Sequence, residues 1–308
     1  MKRLHIVPAK DEANGVYHVA RMLAHEDGGE VMDVRQFVGH DGPNAGAMEC
    51  YSEIWVHGMW LPSEWLACRK VIKAGVPLVR MTHGSLSPIY LKCQSPWKKM
   101  AVGILWERRM FGHATRVVVT GEHEAQWCRR WGLKNDIQVL DLKRFFALPA
   151  DIPSGIEIAR RANAESRPVH VLYMGMRHPL KGVEYLEEAV EEIRGKEKGE
   201  GRKCGVELQI VSNAFGEEKE KVWEWCDMLV LPTLSENFGL VVAEALEHGK
   251  RVITTDGAPV WEGQPGVTYL KGYVVAHPTE RMRMLHRELV RISSGTGPDG
   301  EGETRRRV

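Results

Sequence analysis

Residues 229–255, LVLPTLSENFGLVVAEALEHGKRVITT, decide the reading of the fold. LVLPT is a short apolar strand, SENFG a loop, LVVAEALEHG a helix and KRVITT a second strand. A strand, a helix and another strand within 27 residues mean a parallel pair joined by a crossover. The loop between the first strand and the helix carries Glu236, followed by Asn237, Phe238, Gly239 and Leu240, with Glu244 further along the helix. A carboxylate at the mouth of a helix needs a reason, and the helix start, which stabilises its charge, points to a ligand there.

The same alternation extends in both directions. Towards the N-terminus run RLHIVPA, the amphipathic GVYHVARMLAHE, IWVHG, SEWLACRKVIKAG with Ser63 as its cap, PLVRMTHG, the helical SPWKKMAVGILWERRMFGHA, RVVVTG and EHEAQWCRRWGL. FFALPADIPSGIEIARRANAESRP then breaks the rhythm with three prolines and reads as an interdomain link. A second series follows: VHVLYMG, KGVEYLEEAVEEIRG, VELQIVS, EEKEKVWEWC and the opening stretch. The expectation is two doubly wound α/β domains, 1–148 and 149–294. The Gly-rich, charged tail 295–308 is expected to be disordered.

Composition fits such a chain. Its 308 residues are 43% hydrophobic and 27% charged, with a net charge of +1. The balance hides a split: residues 1–150 carry 20 Lys+Arg against 15 Asp+Glu, the remainder 22 against 26. No run approaches the ~20 apolar residues of a membrane span, and MKRLHIVPAKDEANG lacks a signal-peptide core, so a cytoplasmic location is expected. Six scattered cysteines without C-x-x-C spacing indicate neither a zinc site nor a disulfide framework.

Ligands of open parallel sheets sit where strands end and helices begin. Four such junctions carry candidates. Asn14 and Gly15 open the first helix, either as plain turn chemistry or as a close approach to a phosphate. His83 follows a strand end in THGSLSP and is either structural or functional. Arg177 and Lys181 flank Pro179 in GMRHPLKG, as a solvated pair or as two cations around a diphosphate. The fourth junction is SENFGL itself.

SENFGLVVAEALEHGKRVITT resembles the signature of glycosyltransferase family 4, a Glu, seven residues and a second Glu. GMRHPLKG is similar to that family's Gly-Arg…Lys-Gly loop, THG looks like its acceptor-side histidine turn, and NGV stands where the family has a Gly-Gly loop. The nearest flavour is that of bacterial lipopolysaccharide core and surface polysaccharide transferases. The resemblance implies a GT-B fold, two Rossmann-like domains facing across a cleft, the second one reduced. It implies retaining transfer from a nucleotide-diphosphate sugar to a saccharide or lipid-linked saccharide. In that scheme Arg177 and Lys181 neutralise the diphosphate, Glu244 accepts the ribose hydroxyls, and Glu236 with the N–H groups of Asn237, Phe238, Gly239 and Leu240 holds the sugar. His83 then meets a sugar hydroxyl, and the Asn14–Gly15 turn lies on the donor side. No Asp-x-Asp motif occurs, in keeping with a metal-independent enzyme that needs no cofactor; no nucleic-acid partner is implied. The departures, a shortened stretch between LQIVS and CDMLVLP and an altered domain link, keep a second reading open: a non-catalytic sugar-nucleotide binder or degenerate partner subunit. Hydride transfer is disfavoured, because no G-x-G-x-x-G follows the first strand.

One further expectation concerns a surface. Lys92, Lys98, Lys99, Arg108, Arg109, Arg116, Arg129, Arg130 and Lys134 outnumber Glu107, Glu122 and Glu124 over one segment, interleaved with Trp97, Trp106, Trp127 and Trp131. Such a segment suits an anionic membrane surface or is a solvated basic face whose tryptophans belong to the core.

Overall fold

The computed structural model describes residues 2–12, 14–92, 96–199 and 205–295. The expected disordered tail lies, apart from Gly295, outside the described residues. The chain divides into two compact units, Met1–Phe145 and Phe146–Val308.

The first unit is built on a six-stranded parallel sheet. Its strands are β1 (Lys2–Val7), β2 (Glu30–Asp33), β3 (Tyr51–His57), β4 (Leu78–Met81), β5 (Arg116–Val119) and β6 (Ile137–Val139), in the order β2-β1-β3-β4-β5-β6. β4 is buried along its whole length and β1 and β3 through their last four residues, as helices on both faces require. Polar residues share this interior. Arg80 in β4 is fully buried, donating to the Gly58 carbonyl at 2.9 Å and to Glu107 at 3.1 Å, and contacting Cys68 Sγ at 2.9 Å. A buried guanidinium is tolerable only with its charge paired; here the Nη atoms are engaged and Nε finds no partner among the described residues.

Three details differ from the sequence expectation. The short strands β2 and β6 escape a hydrophobicity reading, because neither is deeply buried and so neither carries a long apolar run. Ser63 does not cap its helix: Pro62 takes the first turn of Pro62–Ala74, and Glu64 reaches back to accept the Leu61 N–H at 3.0 Å. The stretch from Pro96 to Gly112 is helical but carries a π-turn over Gly103–Glu107.

The second unit has five parallel strands, β7 (Val169–Met174), β8 (Val206–Val211), β9 (Met228–Leu231), β10 (Arg251–Thr255) and β11 (Val267–Leu270), ordered β11-β10-β9-β7-β8. Strand order reverses between β7 and β9, so the loops after these two strands flank the crevice where open sheets take ligands. The segment read as a proline-rich link is in part a helix, Gly155–Ala164. Ser154 caps it, accepting from the Glu157 N–H while the Glu157 carboxylate accepts the Ser154 N–H. Ile158, Ala159 and Ala162 bury its inner face, and it packs on the helix Pro278–Ser293 at Gly155, where a Cβ would stand 2.9 Å from Ile292. A small residue is needed there to make room for the Ile292 side chain.

Candidate functional site

In the second unit the chain after β7 passes through His178, whose ring accepts the Leu180 N–H at 3.2 Å, into a single 3-10 turn Pro179–Lys181. Gly182 follows with φ of 64°, and a Cβ there would lie 2.2 Å from the Pro232 carbonyl. Only glycine fits. This close approach knits the β7 loop to the β9 loop: Leu234 N–H donates to the Leu180 carbonyl at 2.7 Å, and the Thr233 hydroxyl to the same oxygen at 3.0 Å.

The β9 loop runs on to Glu236, whose N–H donates to the Gly257 carbonyl at 2.7 Å. Phe238 is buried against Trp261, whose indole N–H donates to the Phe238 carbonyl at 2.5 Å. Gly239 then adopts φ of 78° and starts the helix Leu240–Glu247 with no side chain capping it. The Val242 N–H is taken by the Gly239 carbonyl at 2.9 Å, and no side chain caps the Leu240 and Val241 N–H groups ahead of it, where an anion or a hydroxyl is favoured.

Three ion pairs surround this helix start and the β7 loop. Lys181 Nζ contacts Glu236 Oε2 directly, both side chains being largely shielded. Glu244 accepts from Lys219 at 2.7 Å. Arg177 makes a two-pronged pair with Glu187, both bonds at 2.7 Å, with its side chain 54% exposed. Of the residues singled out from sequence, the structure thus brings Lys181 and Glu236 into contact at the joined ends of β7 and β9. Glu244 sits on the adjoining helix. Arg177 is on the same loop as Lys181 but is drawn to the helix Val183–Gly199. The Asn237 Oδ1 is buried without a hydrogen-bond partner among the described residues.

In the first unit Asn14 is the N-cap of the helix Gly15–Asp27, its Oδ1 accepting from the Val16 N–H at 2.9 Å. His83 lies just past β4 with φ of 49°, an uncommon conformation for a residue with a side chain. A carboxylate that sequence reasoning passed over holds it there. Glu124, fully buried, accepts from the Thr82 hydroxyl and the Gly84 N–H, both at 2.5 Å, and from the Thr120 N–H at 2.9 Å and hydroxyl at 3.2 Å. Burial pushes the Glu124 carboxyl above its ordinary value, against the pull of those hydrogen bonds. The signal for Glu124 was faint: one Glu in the first turn of the helix Glu122–Arg130, indistinguishable in sequence from a helix-dipole charge.

His83 Nε2 lies 2.8 Å from His57 Nδ1, and His57 Nε2 lies 3.0 Å from His5 Nδ1. His5 Nε2 in turn lies 3.1 Å from Asp27 Oδ2. Burial pushes His83 down to about 3, and burial with the two neighbouring imidazoles pushes His57 well below its ordinary value, so both rings are neutral. Among the described residues no three His, Cys, Asp or Glu side chains converge as metal ligands.

The basic segment is split by the fold. Trp127 and Trp131 pack against the hydrophobic core, and Trp106 stacks on Trp65 with centroids 5.5 Å apart. Trp97, Met100 and Leu105 are each about two-thirds exposed. No helix among the described residues is long and apolar enough to cross a membrane.

Comparison with known proteins adds the following. Residues 8–141 match the family described as Glycosyl transferase 4-like domain, and residues 168–287 match Glycosyl transferases group 1. Among solved structures, the chain is similar to Anabaena HepE in complex with UDP, at 15% identity and a TM-score of 0.57, covering 96% of this chain and 93% of that one. It is also similar to a UDP-forming trehalose-phosphate synthase from Burkholderia xenovorans (12%, TM-score 0.55, 96% of each chain). A third is sucrose-phosphate synthase from Thermosynechococcus elongatus (14%, TM-score 0.52, 96% of this chain and 94% of that one). At such identities the likeness is one of fold. Comparison with curated proteins gives no match.

Proposed function

Because the chain belongs to the family-4 glycosyltransferases of GT-B fold, we propose that it is a retaining, metal-independent hexosyltransferase acting on a nucleotide-diphosphate sugar. The observation that carries this reading is the Lys181–Glu236 pair at the joined ends of β7 and β9, beside an uncapped helix start. A diphosphate arriving there takes Lys181 as its counter-ion, and Glu236 is released to accept hydrogen bonds from sugar hydroxyls. Arg177 supplies the second cation once it leaves Glu187. Glu244 accepts the ribose hydroxyls, and the N–H groups of Asn237 to Leu240 complete the donor site.

As the bond to the leaving diphosphate lengthens, negative charge grows on the phosphate oxygens and positive charge on the anomeric carbon. Lys181 and Arg177 stabilise the former, which is where fixed charges lower a barrier most. The acceptor hydroxyl attacks the same face, and His83 hydrogen-bonds a sugar hydroxyl near the reacting carbon. Asn14 and Gly15 open the first helix on the donor side. Because similar structures contain UDP and UDP-glucose, UDP-sugars head the donors to try.

For the acceptor we propose a saccharide or lipid-linked saccharide of cell-surface glycan synthesis. The exposed Trp97, Met100 and Leu105, with Lys98 over the Trp97 ring, support a peripheral contact with an anionic membrane on its cytoplasmic face. Co-sedimentation with anionic but not neutral vesicles, weakened by salt, is the expected result. No binding to anionic vesicles at low salt removes this part of the reading.

The deciding experiment is a panel of nucleotide sugars, read by nucleotide release and by thermal stabilisation. One donor is expected to be hydrolysed or transferred, with loss of turnover in Lys181→Ala and Arg177→Ala. Stabilisation by a nucleotide with no turnover under any acceptor would favour the non-catalytic binder instead.

A further inference from the structure

The imidazole chain behind His83 has a direction, and its far end sets it. Asp27 is an ionised acceptor. Its Oδ1 takes the Gly29 N–H at 2.9 Å, and its Oδ2 faces Arg3 Nη1 at 3.3 Å and His5 Nε2 at 3.1 Å. Burial works against the charge, yet the hydrogen bonds from His5 and Arg3 and the attraction of the Arg3 guanidinium leave the carboxyl below its ordinary value. Asp27 also borders a cavity of about 130 Å³ whose lining includes Arg3, Arg116 and Arg144.

A neutral imidazole carries one N–H and one lone pair. With a carboxylate facing His5 Nε2, the proton of His5 must be on that nitrogen, which leaves His5 Nδ1 an acceptor. His57 can then satisfy the contact only by donating from Nε2, and its own Nδ1 becomes the acceptor for His83. His83 must therefore donate from Nε2. Among the described residues the His83 ring has no other hydrogen-bond partner, so its Nδ1 lone pair is the one valence left over.

We propose that Asp27, acting through His5 and His57, holds His83 in its Nε2–H tautomer, so that the ring offers Nδ1 as a hydrogen-bond acceptor to a hydroxyl of the donor sugar. The identity of that hydroxyl partner rests on the function proposed above; the tautomer does not. Asp27, His5 and His57 are positioning residues, in the sense that a ring's second nitrogen is set by what the first one meets.

The surroundings favour this polarity. Reversing the chain needs an extra proton on His5, so that both its nitrogens donate. The groups facing the chain are the Asp27 carboxylate and the Arg3 guanidinium at one end and, at the other, Glu124, which accepts from the Thr82 hydroxyl and the Gly84 N–H on either side of His83. The Trp55 ring, 5.2 Å from His5 and 6.2 Å from His57, covers the middle with apolar surface. His5 and His57 are fully buried. A second proton on His5 would place a cation on a fully buried ring whose carboxylate partner, Asp27 Oδ2, is already shared with the Arg3 guanidinium, and such burial is costly.

The test is the tautomer itself, read by two-bond proton–nitrogen correlation spectra of the isotope-labelled full chain without substrate, with His83 assigned by loss of its signals in His83→Ala. The expected spectrum shows His5, His57 and His83 all protonated on Nε2. Asp27→Asn, whose amide can accept or donate, should give His83 a mixture of tautomers and lower turnover about tenfold or more. Arg3→Gln removes another partner of Asp27 and should leave the His83 tautomer unchanged. If Asp27→Asn does not fold, His57→Gln interrupts the chain beside His83 and is expected to give the same mixture. A His83 protonated on Nδ1 in the parent protein, or a pure Nε2–H form persisting in the folded Asp27 or His57 variant, overturns the proposal. Because the spectra need no donor, a failure of the nucleotide-sugar panel leaves this result standing, and the reverse also holds.

Discussion

The two units prepare their candidate residues in opposite ways. Around His83 the supporting groups are buried and mostly neutral, and every polar atom that fixes the loop is engaged before any ligand arrives. In the second unit the candidates are charged, partly exposed and already paired with one another: Lys181 with Glu236, Lys219 with Glu244, Arg177 with Glu187. A buried neutral network resists rearrangement because each broken bond leaves an unsatisfied group. An ion pair open to solvent, as Arg177–Glu187 is, is worth little and is readily exchanged. The first arrangement suits a residue that must present one nitrogen in one place, and the second suits residues that must change partners when an anionic ligand enters.

If that contrast holds, changes in the first unit should act mainly on stability. The largest effect is expected for Glu124→Ala, which strands the Thr82 and Thr120 hydroxyls and the Gly84 and Thr120 N–H groups together. At about 1–3 kcal/mol for a buried donor left unmet, a loss of at least about 4 kcal/mol is expected, measurable by urea unfolding. A variant as stable as the parent would mean that water reaches this loop and that His83 is not preset.

Glu64 comes next. It is 2% exposed, and burial pushes its carboxyl up to about 7, against the Leu61 N–H bond and the attraction of Arg80. The folded state thus holds the proton more tightly than the unfolded chain does, whose ordinary value is 4.5. Glu64 therefore favours folding fully below pH 4.5, and that contribution is lost as pH rises towards 7. Glu64→Gln keeps an acceptor for Leu61 without a charge. It should be about 3 kcal/mol more stable than the parent at pH 7, with the difference vanishing near pH 4. His83 and His57 work with the opposite sign: neutral in the folded protein, they lose stability as pH falls below 6.5. The comparison must accordingly be of variant against parent at each pH.

In the second unit the effects should fall on ligand and rate. Lys181→Ala is expected to lower turnover about 10²-fold, the usual loss of one charge-assisted contact to a developing anion, while the unfolding midpoint moves little. Glu244→Ala should weaken nucleotide binding about tenfold or more with the fold intact, by calorimetric titration. Equal affinity in variant and parent would sink the ribose assignment.

Much of this was legible in the sequence. Long apolar strands such as VHVLYM and the strand–helix alternation gave two parallel sheets, with Lys181 at one strand-to-helix junction and Glu236 and Glu244 at another; the order of β7 and β9 in the sheet brings the two loops together. What was hidden depended on contacts between residues far apart in the chain. His5, His57 and Asp27 are single letters in a strand, another strand and a helix end, 22 to 52 residues apart, and no spacing rule joins them. Glu124 meets Thr82 across 42 residues. The helix Gly155–Ala164 was missed for a different reason: its S-x-x-E start, SGIE, sat among prolines that drew the eye to a linker.

The smallest expected effect probes the contrast most directly. If Arg177 is held by Glu187 only until a diphosphate claims it, then Glu187 competes with the ligand, and Glu187→Ala should raise nucleotide affinity. The gain cannot be large, because Arg177 is more than half exposed and its pair is screened by water and salt. A rise of no more than about fivefold is expected at low ionic strength, fading as salt is added, with the unfolding midpoint unchanged. The sign carries the argument. A weaker affinity in Glu187→Ala would mean that the pair orients Arg177 for the ligand, so that this arginine, like His83 in the other unit, is set before the ligand arrives.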